Sequence, residues 1–240
     1  MKLFVLFALP LIMIVNPDDT RPDILNIGNF SGSESDDRIP DDWETLRFRG
    51  LKPTEYNLTE LDGRRVVKAV SEASSSGMLR RERIDLNEFP VIEWSWKVGN
   101  LIDKGDVTQK DGDDYPARIY LMFDYSLKNL SWGQRNLIRL TRLVYGRVPS
   151  RAINYIYANK EEPGLITQNP YTDLVTMVVV DSGEENTGQW RTYRRNILED
   201  YRSIYGEDPP PVEAIAIMTD SDDTGQSAVS WFGDIRFLRD

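Results

Sequence analysis

Five short runs, each bounded by turn-forming residues, constrain this chain more than any other feature: VIEWSWKV (91–98), ARIYLMFDYS (117–126), LVTMVVVDS (174–182), VEAIAIMTD (212–220) and VSWFGDIRFL (229–238). They are rich in Val, Ile, Phe, Tyr and Trp, the side chains that fit a pleated, half-buried surface. In VIEWSWKV and ARIYLMFDYS, side chains of different character alternate with a period of two. Asp62-Gly63 separates two further runs, TEYNLTEL and RRVVKAVSE, and is the dipeptide that a two-residue hairpin turn selects. Short strands with turn-rich joints predict an all-β fold, an antiparallel β-sandwich of jelly-roll type.

Two stretches break the strand pattern. SWGQRNLIRLTRLVYG (131–146) has Ser131 as N-cap and Gly146 as stop, and predicts a helical insertion with Arg135, Arg139 and Arg142 on one face. WRTYRRNILEDYRSIYG ends at Gly206, ahead of the prolines at 209–211, and predicts a short helix near 190–205. Residues 1–16 carry one lysine and then an apolar run with the length of a signal-peptide core rather than a full span, so they read as a signal peptide or an N-terminal anchor. Residues 17–42, rich in Asp, Pro, Ser and Gly, read as a linker, and 43–240 as a single sandwich domain. The expected location is outside the cytoplasm, periplasmic or extracellular.

Composition enters through what it excludes. The 240 residues contain no cysteine and no histidine. A disulfide cannot staple the fold, Ser-His-Asp and Cys-His catalysis are excluded, and the usual ligands of zinc, copper and iron are missing. A general base must be Asp, Glu, Lys or Tyr, and a metal must accept oxygen ligands, which means calcium or magnesium. The formal net charge of −10 disfavours non-specific contact with nucleic acid or anionic lipid, so neither is an expected partner.

Three segments carry candidate chemistry. TDSDDTG (219–225) places Asp220, Asp222 and Thr224 at alternate positions ahead of Gly225, the front half of a calcium loop whose glutamate position is Trp231. Asp234 is the candidate for the missing oxygen, so the expectation is a structural Ca2+ on Asp220, Asp222, Thr224 and Asp234, with no cofactor required. The bland alternative is a hairpin loop capped by its own side chains. In VIEWSWKV, Trp94 and Trp96 share a face; they read as core, with a sugar-stacking platform as the functional alternative. Arg118 stands on the polar side of a strand whose other side is Ala117, Ile119, Leu121 and Phe123. A charge so placed needs a partner, Glu93 first, Asp113 or Asp114 second. If strands 91–98 and 117–125 are neighbours, Glu93, Lys97, Arg118, Tyr120 and Asp124 form a polar ligand-binding cleft.

IEWSWKV, GDDYPARIYLMFD, TEYNL and the long run RRNILEDYRSIYGEDPPPVEAIAIMTDSDDTGQSAVSWFGDIRF together resemble a bacterial exported family, number 3047 among the domains of unknown function. The resemblance implies an exported β-sandwich. The strand pattern is also similar to jelly-roll carbohydrate-binding modules, a likeness of fold and not of site.

The leading functional expectation is an exported, non-catalytic module that binds a glycan. A second is a polysaccharide lyase in which Arg118 neutralises a uronate carboxylate and Tyr120, its pKa lowered by Arg118 or Lys97, removes the neighbouring proton. A third is a structural or protein-interaction component of the cell envelope.

Overall fold

A computed structural model of the chain describes residues 22–34, 40, 42–126, 128, 131, 133 and 150–239. The signal or anchor at 1–16, the helical insertion at 131–146 with Arg135, Arg139 and Arg142, and part of the 17–42 lead-in lie outside the described residues, apart from Ser131 and Gly133.

Among the described residues, thirteen strands form two sheets: β1 (Ile24–Gly28), β2 (Glu44–Arg47), β3 (Glu55–Leu61), β4 (Arg64–Glu72), β5 (Ser75–Ile84), β6 (Val91–Val98), β7 (Arg118–Phe123), β8 (Ala152–Ala158), β9 (Ile166–Asn169), β10 (Thr172–Ser182), β11 (Trp190–Asn196), β12 (Val212–Asp220) and β13 (Ser227–Leu238). The six-stranded sheet runs β11-β6-β13-β4-β3, with β1 also on β13; the seven-stranded sheet runs β2-β5-β12-β7-β8-β10-β9. The predicted sandwich is what forms. Asp62 and Gly63 take positive φ, 53° and 75°, and close the β3–β4 hairpin as their chemistry predicts.

Alternation sets the core. Ile92, Trp94, Trp96 and Val98 of β6 and Phe232, Ile235 and Phe237 of β13 meet Ile119, Leu121 and Phe123 of β7, Ile153, Tyr155 and Tyr157 of β8, and Ile215 and Ile217 of β12. Both tryptophans are core residues, 1% exposed, so neither is a sugar platform. The Trp94 ring sits 5.4 Å from Tyr155 of the facing sheet and 5.3 Å from Tyr193, an aromatic bridge between the layers.

Three details differ from the sequence reading. The sandwich is not wholly antiparallel, because β10 runs parallel to β8, with β9 as a short antiparallel strand on its far side. The predicted helix near 190–205 starts at Ile197 as α1 (Ile197–Tyr205), because Trp190–Asn196 pairs as an edge strand with β6. Asn196 caps α1 by accepting from the Glu199 N–H at 3.1 Å, and Gly206 ends it in the left-handed conformation. Finally, part of the stretch read as a linker is strand β1, which pairs with β13 and buries Ile27 and, just beyond it, Phe30. A few apolar side chains outweigh the surrounding acidic composition there.

Candidate functional site

The second side of β7 carries the candidate site. Its register sets Arg118 beside Met218 of β12 and Ile156 of β8, and Tyr120 beside Ala216 and Asn154. Arg118 is 2% exposed although it faces away from the main core. The β6–β7 connection folds back over this face, where Val107 and Tyr115 pack on Ile156, Ala158, Met177 and Val179.

The partners of Arg118 are Asp220 and Asp113. Its Nη2 pairs with the Asp220 carboxylate and also donates to the Asp113 carbonyl at 3.4 Å, while Nη1 stands 3.8 Å from Asp113 Oδ1. The guanidinium carbon lies 4.8 Å from the Tyr115 ring centre and 5.7 Å from that of Tyr120. Asp220 accepts from the Tyr115 N–H at 3.2 Å, and Asp113 accepts from Asn169 Nδ2 at 2.9 Å. Among the described residues, Arg118 Nε and Nη1 and Asn154 Oδ1 are buried without a hydrogen-bond partner. Such groups are uncommon in a finished interior; Trp94 Nε1 and Arg239 Nε are others, away from this pocket.

A second acidic group adjoins. Asp114, 1% exposed, accepts from the Asp223 and Thr224 N–H groups at 3.3 and 2.6 Å. Carboxylate oxygens of Asp114, Asp222 and Asp223 lie within 4.8 Å of one another. The Tyr171 hydroxyl donates to Asp223 Oδ1 at 2.7 Å, with its ring half exposed. Between these groups opens a pocket of about 460 Å³, within the range of small-ligand sites. Asp113, Arg118, Tyr120, Asn169, Asp222 and Asp223 supply its polar wall; Phe48, Leu51, Tyr171, Val175 and Met218 supply the apolar one. A wider depression of about 980 Å³, between Lys52, Glu72, Asn100 and Glu184, contains none of the unpartnered buried groups.

Burial raises the Asp113 carboxyl above the ordinary carboxylate range, against the pull of Arg118. Burial, followed by the Asp114 and Asp223 charges, raises Asp222; burial also raises Asp223, with Asp114 adding and the Tyr171 hydrogen bond opposing. A raised carboxyl favours the fold fully below its unfolded value and loses that contribution as pH climbs through the folded value. Asp222→Asn is therefore expected to raise the melting temperature at pH 7 and to leave it unchanged below about pH 4. Paired thermal melts at the two pH values check this, and a variant less stable at pH 7 would contradict it.

The structure separates the residues of the predicted cleft. Arg118 and Tyr120 share the pocket, but Glu93 and Lys97 lie on the other sheet, because β6 neighbours β11 and β13 while β7 neighbours β12 and β8. Glu93 pairs with Arg236, 2.8 Å from its Nε, and Lys97 with Asp62 at 3.2 Å. Asp124, beyond the end of β7, pairs with Arg83 at 2.9 Å in the open. The calcium set does not converge either. Asp220 is taken by Arg118, Asp234 accepts from Ser31 N and Oγ at 2.9 and 2.6 Å, and Thr224 Oγ1 accepts from the Gln226 N–H at 3.3 Å; only Asp222 belongs to the acidic group. Burial raises the Tyr120 hydroxyl's pKa despite Arg118, opposite to the lowering that the lyase expectation assumes.

Sequence reasoning missed Asn169, Tyr171 and Asp223 as site residues. Asn169-Pro170-Tyr171 reads as a turn, and only the β9–β10 hairpin carries it to the end of β7 and β12.

A family model described as protein of unknown function (DUF3047) matches residues 41–236. The chain belongs to the DUF3047 family. No curated protein matches this DUF3047 sequence. Among solved structures it is similar to the carbohydrate recognition domain of Emp47p, at 10% identity over 89% of this chain and 94% of that one, with a TM-score of 0.45. Endoglucanase 3 of family GH12 from Trichoderma harzianum is matched at 7% identity over 92% and 99%, TM-score 0.42. A family 12 xyloglucanase from Bacillus licheniformis is matched at 8% over 90% and 92%, TM-score 0.39. For this DUF3047 chain the sandwich rests on its own strand order.

Proposed function

We propose that this protein is an exported, non-catalytic glycan-binding module and that the pocket beside Arg118 and Tyr171 holds the sugar. The observation that carries the reading is the pairing, in one pocket, of the half-exposed Tyr171 ring with the polar wall of Asp113, Asn169, Asp222 and Asp223. A sugar ring presents an apolar face for stacking and hydroxyls that both donate and accept, which is what such a wall needs. Export is supported by the apolar run at 1–16, and among the described residues no helix is long and apolar enough to cross a membrane. The non-catalytic part of the reading is supported by Arg118, whose charge is already met by Asp220 and Asp113.

A glycan array followed by calorimetry tests the reading. Tyr171→Ala is expected to weaken the best array ligand at least about tenfold, the loss of about 1.4 kcal/mol of stacking, with little change in melting temperature because the side chain is half exposed. Equal affinity of variant and parent would remove the pocket from the site of binding.

A further inference from the structure

The pocket wall is charged as well as polar. Asp113, Asp220, Asp222 and Asp223 line it. Asp114 adds its charge to Asp222 and Asp223, and Asp111 adds to Asp223. Among the described residues that line it, the cation is Arg118, engaged by Asp220 and Asp113; Lys110 Nζ lies over the Tyr171 ring at 5.4 Å. Negative charge is in excess, and it is concentrated at Asp222 and Asp223. The unpartnered groups form a second, independent feature. Arg118, more than nine-tenths buried, borders the same pocket, and its Nη1 lacks a hydrogen-bond acceptor.

We infer that the sugar taken by this pocket is an amino sugar with a free ammonium, its nitrogen held by Asp222 and Asp223 and its hydroxyls facing Asp113 and Arg118. The inference rests on the glycan reading and specifies it. A primary ammonium offers three N–H donors; acceptors about 2.8 Å from a tetrahedral nitrogen fall about 4.6 Å apart. Carboxylate oxygens of Asp222 and Asp223 lie within 4.8 Å of each other, close enough for one nitrogen to reach both, and both residues line the pocket. A sugar hydroxyl beside Arg118 Nη1 supplies the acceptor that nitrogen lacks. A uronate would bring a carboxylate against this acidic wall and is repelled. An N-acetylated sugar lacks the charge and leaves Asp222 and Asp223 uncompensated.

The experiment is calorimetry on the full chain with four tetrasaccharides: fully de-N-acetylated glucosamine, its N-acetylated counterpart, cellotetraose and tetragalacturonate. CaCl2 alone is the fifth probe. The expected result is de-N-acetylated tetraose binding at least tenfold more tightly than the acetylated or neutral ones, with none to tetragalacturonate. The preference should be lost in Asp223→Asn and in Asp222→Asn, each shown folded by its circular dichroism. Affinity should also fall as pH drops through the carboxylate range, where these groups take up protons. Equal binding of the neutral and the amino tetraose would overturn the ammonium assignment and leave the glycan reading standing. Binding of calcium with no sugar bound would overturn both and make the acidic group a divalent-cation site. No binding of any probe would overturn the ammonium assignment, and the array then decides the glycan reading separately.

Discussion

Replacing Arg118 by methionine is expected to cost about 3–5 kcal/mol of folding free energy at pH 7. For a chain of this size that is a fall of about 6–20 °C in melting temperature. The reason is not the loss of one contact but what remains. Asp220 and Asp113 would stay buried with no cation between them, and a carboxylate out of water without a partner is among the costliest groups a fold can hold. The sign with pH follows. Without Arg118, burial acts on both carboxylates with no cation to oppose it, so the deficit is largest at neutral pH. It shrinks as the solution falls below about pH 4, where the unfolded chain's carboxylates are also protonated. Adding Asp220→Asn to Arg118→Met is expected to recover part of the loss, because the amide keeps an acceptor for the Tyr115 N–H and removes the stranded charge. Thermal melts of parent, single and double variants across pH 3.5–7 measure this. A single variant as stable as the parent at pH 7 would mean the ion pair does not hold the outer face of β7.

Trp94→Ala is expected to cost a similar amount, about 3–5 kcal/mol. It would act through a cavity between the sheets rather than a stranded charge. The ring touches Tyr155 of one sheet and Tyr193 of its own, and is 1% exposed. Its effect should be independent of pH, which separates it from the Arg118 variant, and Trp94→Phe should lose markedly less. Denaturant unfolding of the two variants checks the difference. Loss of ligand affinity without loss of stability would restore the stacking-platform reading that the structure overturns.

The faces of the strands were legible in the sequence, and their neighbours were not. Period-two alternation sends Ile119, Leu121 and Phe123 inward and Arg118 and Tyr120 to the other side, and the structure agrees. Alternation says nothing about which strand lies beside which. Glu93 sits on the polar side of a strand, as read, but that strand belongs to the other sheet, where Arg236 meets it. Asp220 was visible as one of a row of aspartates spaced like a metal loop. Its assignment to Arg118 depends on β12 being hydrogen-bonded to β7 with Met218 opposite Arg118, a pairing between residues about a hundred positions apart in sequence. Tyr171 and Asn169 reach the pocket by the same kind of long-range pairing. The local pattern fixes orientation, and only strand order turns orientations into a site.

One feature of the six-stranded sheet reaches beyond the pocket. β13 lies between β6 and β4 and also carries β1, so the strand latest in the chain is the common partner of three earlier ones. A polypeptide appearing N-terminus first holds those three with their partner not yet delivered, and a layer lacking its middle cannot close over the other. Pairings so distant in sequence make for slow folding, because the entropy of closing long loops is spent before the contacts they bring can repay it.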